Sequence, residues 1–191
     1  NFAEQKNRAL AKAEGPWIFL LDADERVSPE LAEEIQTVTA KGVPDAVYSF
    51  PRHNYFFGRR MRFGGAQQDR QIRLFPKVGV RYVQPVHEKI ETDLPVRMGR
   101  HPIRHYGTRD WAHYREKLDC YIPLELGVMR GRGQRIFFPH LMMGPLLKFF
   151  DLYFRKLGFL DGITGLQYAA LSSYYVCLKY GRYLRGERES V

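Results

Sequence analysis

Residues 17–21 (WIFLL) form an unbroken apolar run that stops on Asp22, Ala23, Asp24 and Glu25. Five residues is short for a buried helix and Gly15-Pro16 stands directly before the run, so the pattern predicts a buried strand. A strand that delivers three carboxylates at its carboxyl end fits an open α/β sheet, in which ligands bind beyond the strand ends. Asp22 and Asp24 are two apart and in extended geometry share a side. There they repel unless a cation or a proton intervenes. Hard oxygen donors with room left for water and phosphate suit Mg²⁺ or Mn²⁺. The same residues also read as a solvated acidic turn before a helix, since Ser28-Pro29-Glu30-Leu31 carries an N-cap with proline at the first helical position.

Around that run, residues 2–13 have helical periodicity and Gly15 is its stop. Residues 29–40 predict an amphipathic helix with Leu31, Ile35 and Val38 inward and Glu30, Glu33 and Glu34 outward. Strands are expected at 46–51, 71–76 and 102–106, with 78–82 as the hairpin partner of 71–76 and a further helix capped by Thr108. Cys120 and Cys177 lack metal spacing and sit in apolar, helical contexts, which predicts reduced core thiols in a cytosolic protein. Residues 1–50 hold five Lys/Arg against nine Asp/Glu, whereas the rest holds twenty-five against twelve. An acidic edge followed by a basic body suggests an anionic partner: a sugar phosphate or a phospholipid surface. Nucleic acid is set aside, because no helix-turn-helix, zinc-finger or RNP-like pattern accompanies the charge.

Three stretches, QKNRAL (5–10), GPW (15–17) and LLDADE (20–25), together resemble the family 2 glycosyltransferases of the GT-A fold. LDADERV at 21–27 is similar in particular to the lipopolysaccharide-core β-glycosyltransferases. The resemblance implies an α/β, Rossmann-like GT-A domain in which Asp22 and Asp24 hold a divalent ion on the diphosphate of a nucleotide-sugar. It also implies two β-α units ahead of this point that bind base and ribose, so the chain, opening on Asn1, is expected to be N-terminally incomplete. Asn7 matches a polar position facing the nucleotide-sugar. Gly64 and Gly65 match a glycine turn where backbone approaches the donor sugar, as a residue without Cβ permits. Arg59, Arg60, Arg62, Arg70 and Arg73 surround that turn in sequence, and Arg73 is singled out as a phosphate clamp. For the base that deprotonates the acceptor hydroxyl, Glu88 is the family-matched candidate and Asp69 its rival. His105, by its order in the chain, would complete the metal shell or touch the diphosphate.

Residues 131–191 change character: two apolar runs interleave with aromatic and basic residues. Neither reaches the length a spanning helix requires, and the pattern suggests helices lying on an anionic membrane surface, with a hairpin on the enzyme itself or a dimer contact as the other readings. The expected organisation is a partial catalytic domain over 1–130 and a helical membrane-surface or packing tail over 131–191. The expected function is inverting transfer of a hexose from a nucleoside-diphosphate sugar to a lipid-linked saccharide, on the cytoplasmic face of the plasma membrane. A non-catalytic membrane-interaction module and a polyprenyl-phosphate sugar synthase of the same fold are the alternatives.

Overall fold

The computed structural model describes residues 2–40, 42, 45–83 and 89–186. It has two compact units, Asn1–His53 with Gln68–His105 and Asn54–Gln67 with Tyr106–Val191. The α/β class expected above is the one observed.

The first unit is built on a mixed sheet. Its strands are β1 (Trp17–Phe19), β2 (Glu25–Arg26), β3 (Val47–Phe56), β5 (Arg70–Pro76), β8 (Val96–Met98) and β9 (Ile103–Thr108), while β4 (Arg59–Arg60) pairs with the far end of β3. The strand order is β1-β5-β3-β9-β2, with β8 parallel to β3 and β1 and β5 antiparallel to their partners. Side chains alternate across the sheet, and adjacent residues serve opposite cores. Tyr48, Leu74 and Ile103 meet Leu31 of α2 (Pro29–Thr39), whereas Val47 and Phe75 meet Ala3 and Leu10 of α1 (Phe2–Lys12). The α2 N-cap is as read from the sequence: Leu31 N–H donates to Ser28 Oγ at 3.3 Å with proline in the first turn.

Two local expectations change. The 17–21 run gives a three-residue strand that is half-buried, with Leu21 exposed, because β1 stands at the end of the strand order and one side of it meets no described strand. Residues 78–82 do not pair with β5, both of whose edges are taken by β1 and β3; instead β6 (Arg81–Val83) pairs with β7 (Lys89–Glu91). Asn7 of α1 fastens that hairpin, its amide donating to Tyr82 O at 2.8 Å and accepting from Tyr82 N–H at 2.9 Å.

The second unit is mainly helical: α3 (Trp111–Gly131), α4 (Phe138–Phe150) and α5 (Gly162–Leu184). Asp110, not Thr108, caps α3, accepting from His113 N–H at 2.9 Å, because β9 runs on through Thr108. Tyr114, Leu118, Ile122, Leu126 and Met129 of α3 form its core with Leu171, Tyr175 and Leu178 of α5. Residue 130, the boundary expected from composition, falls in the last turn of α3. Cys120 and Cys177 are exposed free thiols rather than core residues; the buried stripe of α3 passes through Leu118 and Ile122 and leaves Cys120 outside it. No helix among the described residues is long and apolar enough to cross a membrane.

Candidate active site

At the carboxyl end of β1 the chain turns so that Glu25, not Asp22, enters the interior. Glu25 is fully buried. Its Oε1 accepts from Arg73 Nη2 at 2.6 Å and lies 3.4 Å from Arg52 Nη1, while its Oε2 accepts from the Asp22 backbone N–H at 3.1 Å. Arg73 reaches from the middle of β5 and bonds the Asp22 carboxylate with the same Nη2. Lys6 of α1 approaches the other Asp22 oxygen at 3.2 Å and lies over the Tyr82 ring. Burial pushes the Asp22 carboxyl up, but Arg73 and Lys6 outweigh it and hold it below the usual carboxylate range. For Arg73 burial works downward, and Glu25 and Asp22 together raise it above its ordinary value.

Above this turn lies a cleft of about 530 Å³ within the first unit. Lys6, Arg52, Arg70, Arg73 and Lys89 line it, and Asp22 is the one carboxylate among its described lining residues. Arg70 is anchored by Nη2, which donates to Ser49 O at 2.6 Å and Gly99 O at 2.7 Å. The Nε atoms of Arg70 and Arg73 are buried without a hydrogen-bond partner among the described residues. Buried donors in folded proteins are almost always paired, so these two Nε groups are exceptions, and it is the five cationic side chains of the lining that suit the cleft to an anion.

Asp24 is not among the described lining residues of the cleft. Its Oδ2 stands 3.3 Å from His105 Nε2, because β2 pairs with β9 in a register that sets Glu25 opposite His105. Asp69 is engaged by Arg52 Nε at 2.8 Å and by Gln71 Nε2 at 3.2 Å. Glu88 lies outside the described residues. Gly64 and Gly65 belong to the second unit, at φ +67° and +98°, values that favour glycine, and Gly64 N–H donates to Lys156 O at 2.9 Å.

A model of the family described as Glycosyl transferase family 2 matches residues 1–111, a stretch that contains every residue lining the cleft. The chain belongs to glycosyl transferase family 2. It is similar as well to the lipopolysaccharide core biosynthesis glycosyltransferase LpsC of Rhizobium meliloti (strain 1021), at 29% identity over 189 residues covering 90% of this chain and 67% of the relative. A family of transferases removes the alternative of a non-catalytic membrane module, and the mixed α/β domain is the GT-A domain of this glycosyltransferase.

Glycosyltransferases of this family use nucleotide-sugar donors and often a divalent ion, and the residues here can be tested for one. Among the described residues no group of three or more His, Cys, Asp and Glu is gathered for a metal. Both Asp22 oxygens face cations. Asp24 and His105 do fit: two donors at about 2.1 Å from one octahedral ion stand about 3 Å apart, and theirs are 3.3 Å apart. Mg²⁺ and Mn²⁺ sites need only one or two protein ligands when phosphate and water supply the rest. Sequence reasoning had named Asp22, Asp24, Arg73 and His105, but it missed Glu25 as the buried hub and Lys6 and Arg52 as its cationic neighbours. The signal for Lys6 was within reach in QKNRAL, whereas the inward turn of Glu25 had none beyond its place beside two other acids.

Proposed function

We propose that this family 2 glycosyltransferase transfers a hexose, with inversion, from a nucleoside-diphosphate sugar to a hydroxyl of a lipid-linked saccharide of the bacterial envelope, as a peripheral protein of the inner membrane face. The carrying observation is the cationic cleft lined by Lys6, Arg52, Arg70, Arg73 and Lys89, with Asp22 the one carboxylate among its described lining residues. A diphosphate brings several negative charges and strong acceptor oxygens to such donors, and planar guanidinium groups match it in geometry. The similarity to LpsC supports the lipopolysaccharide-core acceptor class.

In this reading Arg70, Arg73, Lys6 and Lys89 bind and orient the diphosphate, and Glu25 keeps Arg73 aimed. Asp24 and His105 would hold Mg²⁺ or Mn²⁺, which when bound neutralises charge developing on the leaving diphosphate. Glu88, the residue before the cleft-lining Lys89, takes the proton from the acceptor hydroxyl. The hydroxyl oxygen then bonds to the anomeric carbon as the bond from that carbon to the diphosphate oxygen breaks, its electron pair leaving with the diphosphate. Asp69, the rival candidate, is held by Arg52 Nε and Gln71 Nε2, and this reading gives the base role to Glu88. The test is Asp24→Asn, assayed for Mn²⁺-dependent sugar transfer and for stabilisation of the fold by Mn²⁺ with a nucleoside diphosphate. Loss of both, roughly 100-fold or more in transfer, is expected, with folding retained; unchanged metal dependence would discard the Asp24–His105 site.

A further inference from the structure

Along α4, Phe138, Met142, Leu146 and Phe150 recur every four residues, and Met143 and Leu147 widen the stripe; all six are more than half exposed. The opposite side carries Gly144 and Lys148. A Cβ on Gly144 would stand 2.7 Å from the Tyr180 ring, so α4 meets α5 closely there. Lys148 is half-buried, and burial, then Lys156, push its ammonium below the ordinary value against the pull of Asp151. An ordinary surface helix turns its apolar stripe inward. Here the polarity is reversed, and a continuous apolar patch of this kind marks a contact surface rather than scattered exposed residues.

Charge selects what covers it. Residues 131–186 carry eight Lys/Arg and two Asp/Glu, with Arg132 and Arg135 exposed before the stripe and Arg155 after it. A second copy would set this basic surface against itself, whereas a leaflet of anionic lipids complements it. Thirteen residues span about 20 Å, short of the roughly 30 Å of a bilayer core, so the helix fits the interface plane and not a crossing.

We propose that the outward face of α4 seats at the headgroup–acyl boundary of an anionic leaflet, its axis in the membrane plane and flanked by arginines at phosphate level. This deepens the membrane part of the function proposed above and rests on it only for which leaflet is meant. The test is co-sedimentation of the full chain with vesicles of phosphatidylcholine and phosphatidylglycerol at 3:1, against phosphatidylcholine alone. Binding to the mixed vesicles is expected, at least tenfold weaker on the neutral ones, and at least tenfold weaker for Leu146→Ser with Leu147→Ser, whose circular dichroism should match the parent. Phe150→Trp should gain fluorescence quenching by brominated acyl chains beyond the native level, and Gln134→Trp should not. Undiminished binding by the double variant, no added quenching at 150, or a dimer in solution that the double variant abolishes would each overturn the proposal. Vesicle binding is read without donor or acceptor, so its failure leaves the transfer reading standing, and the failure of Asp24→Asn leaves this one standing.

Discussion

Replacing Glu25 by glutamine keeps the shape of the side chain and removes its charge. The amide oxygen can still accept from Arg73, but the NH₂ group then meets the Asp22 backbone N–H, now 3.1 Å from a carboxylate oxygen. One buried donor left unsatisfied costs about 1–3 kcal/mol. Removing a partner from a buried ion pair costs about 3–5 kcal/mol, and the low end applies, because Arg73 retains Asp22. The expected loss is about 3 kcal/mol. Asp22→Asn is the control: that side chain is 35% exposed, so solvent screens its pairs with Lys6 and Arg73, and the loss should stay below about 1 kcal/mol. For a chain of this size about 1 kcal/mol moves the melting point by 2–4 °C, so Glu25→Gln should lower it by roughly 6–12 °C. Urea unfolding followed by Trp17 fluorescence reads the first unit directly once Trp111→Phe has removed the other tryptophan. A Glu25→Gln loss under about 1 kcal/mol, or a larger loss for Asp22→Asn, would refute the assignment of Glu25 as the buried hub.

Acid should destabilise the first unit in a defined window. Glu34 is pushed up by burial but held below its ordinary value by the N–H groups of His101 and Arg100, and Asp22 is depressed as described. A depressed carboxyl contributes its stability in full above its unfolded pKa, about 4, and loses it as pH falls through the lower folded value. Urea midpoints should therefore be level from neutral pH to about 5 and fall below about 4, with a shallower fall in Glu34→Gln; a fall beginning above pH 6 would indicate another group. In the second unit, a Cβ at Gly165 would overlap the carbonyl oxygen of Gly158, which is backbone and cannot swing away. Gly165→Ala should cost about 3 kcal/mol or more by thermal melting, and a change near zero would show that the turn before α5 can yield.

What could be read from the sequence was local. The α2 cap needs only Ser28, Pro29 and a backbone N–H three residues on, and the α2 face needs only its period. The acidic turn after residues 17–21 was equally plain, because an apolar run that ends in carboxylates cannot continue as a buried strand. Choices made by the sheet as a whole were hidden. Residues 78–82 alternate well enough to pair with 71–76, and nothing in them says that β1 and β3 occupy both edges of β5. Thr108 has the chemistry of a cap, but β9 extends through it and passes the cap to Asp110. Composition likewise suggested core positions for Cys120 and Cys177, which α3 and α5 leave in solvent.

The three acids of the turn show why motif spacing alone could not divide the work among them. Carboxylates this close would repel, and the fold sets a counterpart beside each, Arg73 serving two of them: Arg73 and Arg52 for Glu25, Lys6 and Arg73 for Asp22, His105 for Asp24. Arginine and lysine are fixed cations near neutral pH, so a metal approaching Glu25 or Asp22 must displace or repel them. Histidine differs, because a neutral imidazole can share an ion with the carboxylate it faces. On the proposed function, the Asp-x-Asp spacing thus separates an aspartate that orders the turn from one that meets the ion. Asp22→Asn should then leave part of the metal response that Asp24→Asn abolishes, and equal loss in both variants would mean that the two aspartates act on the ion together.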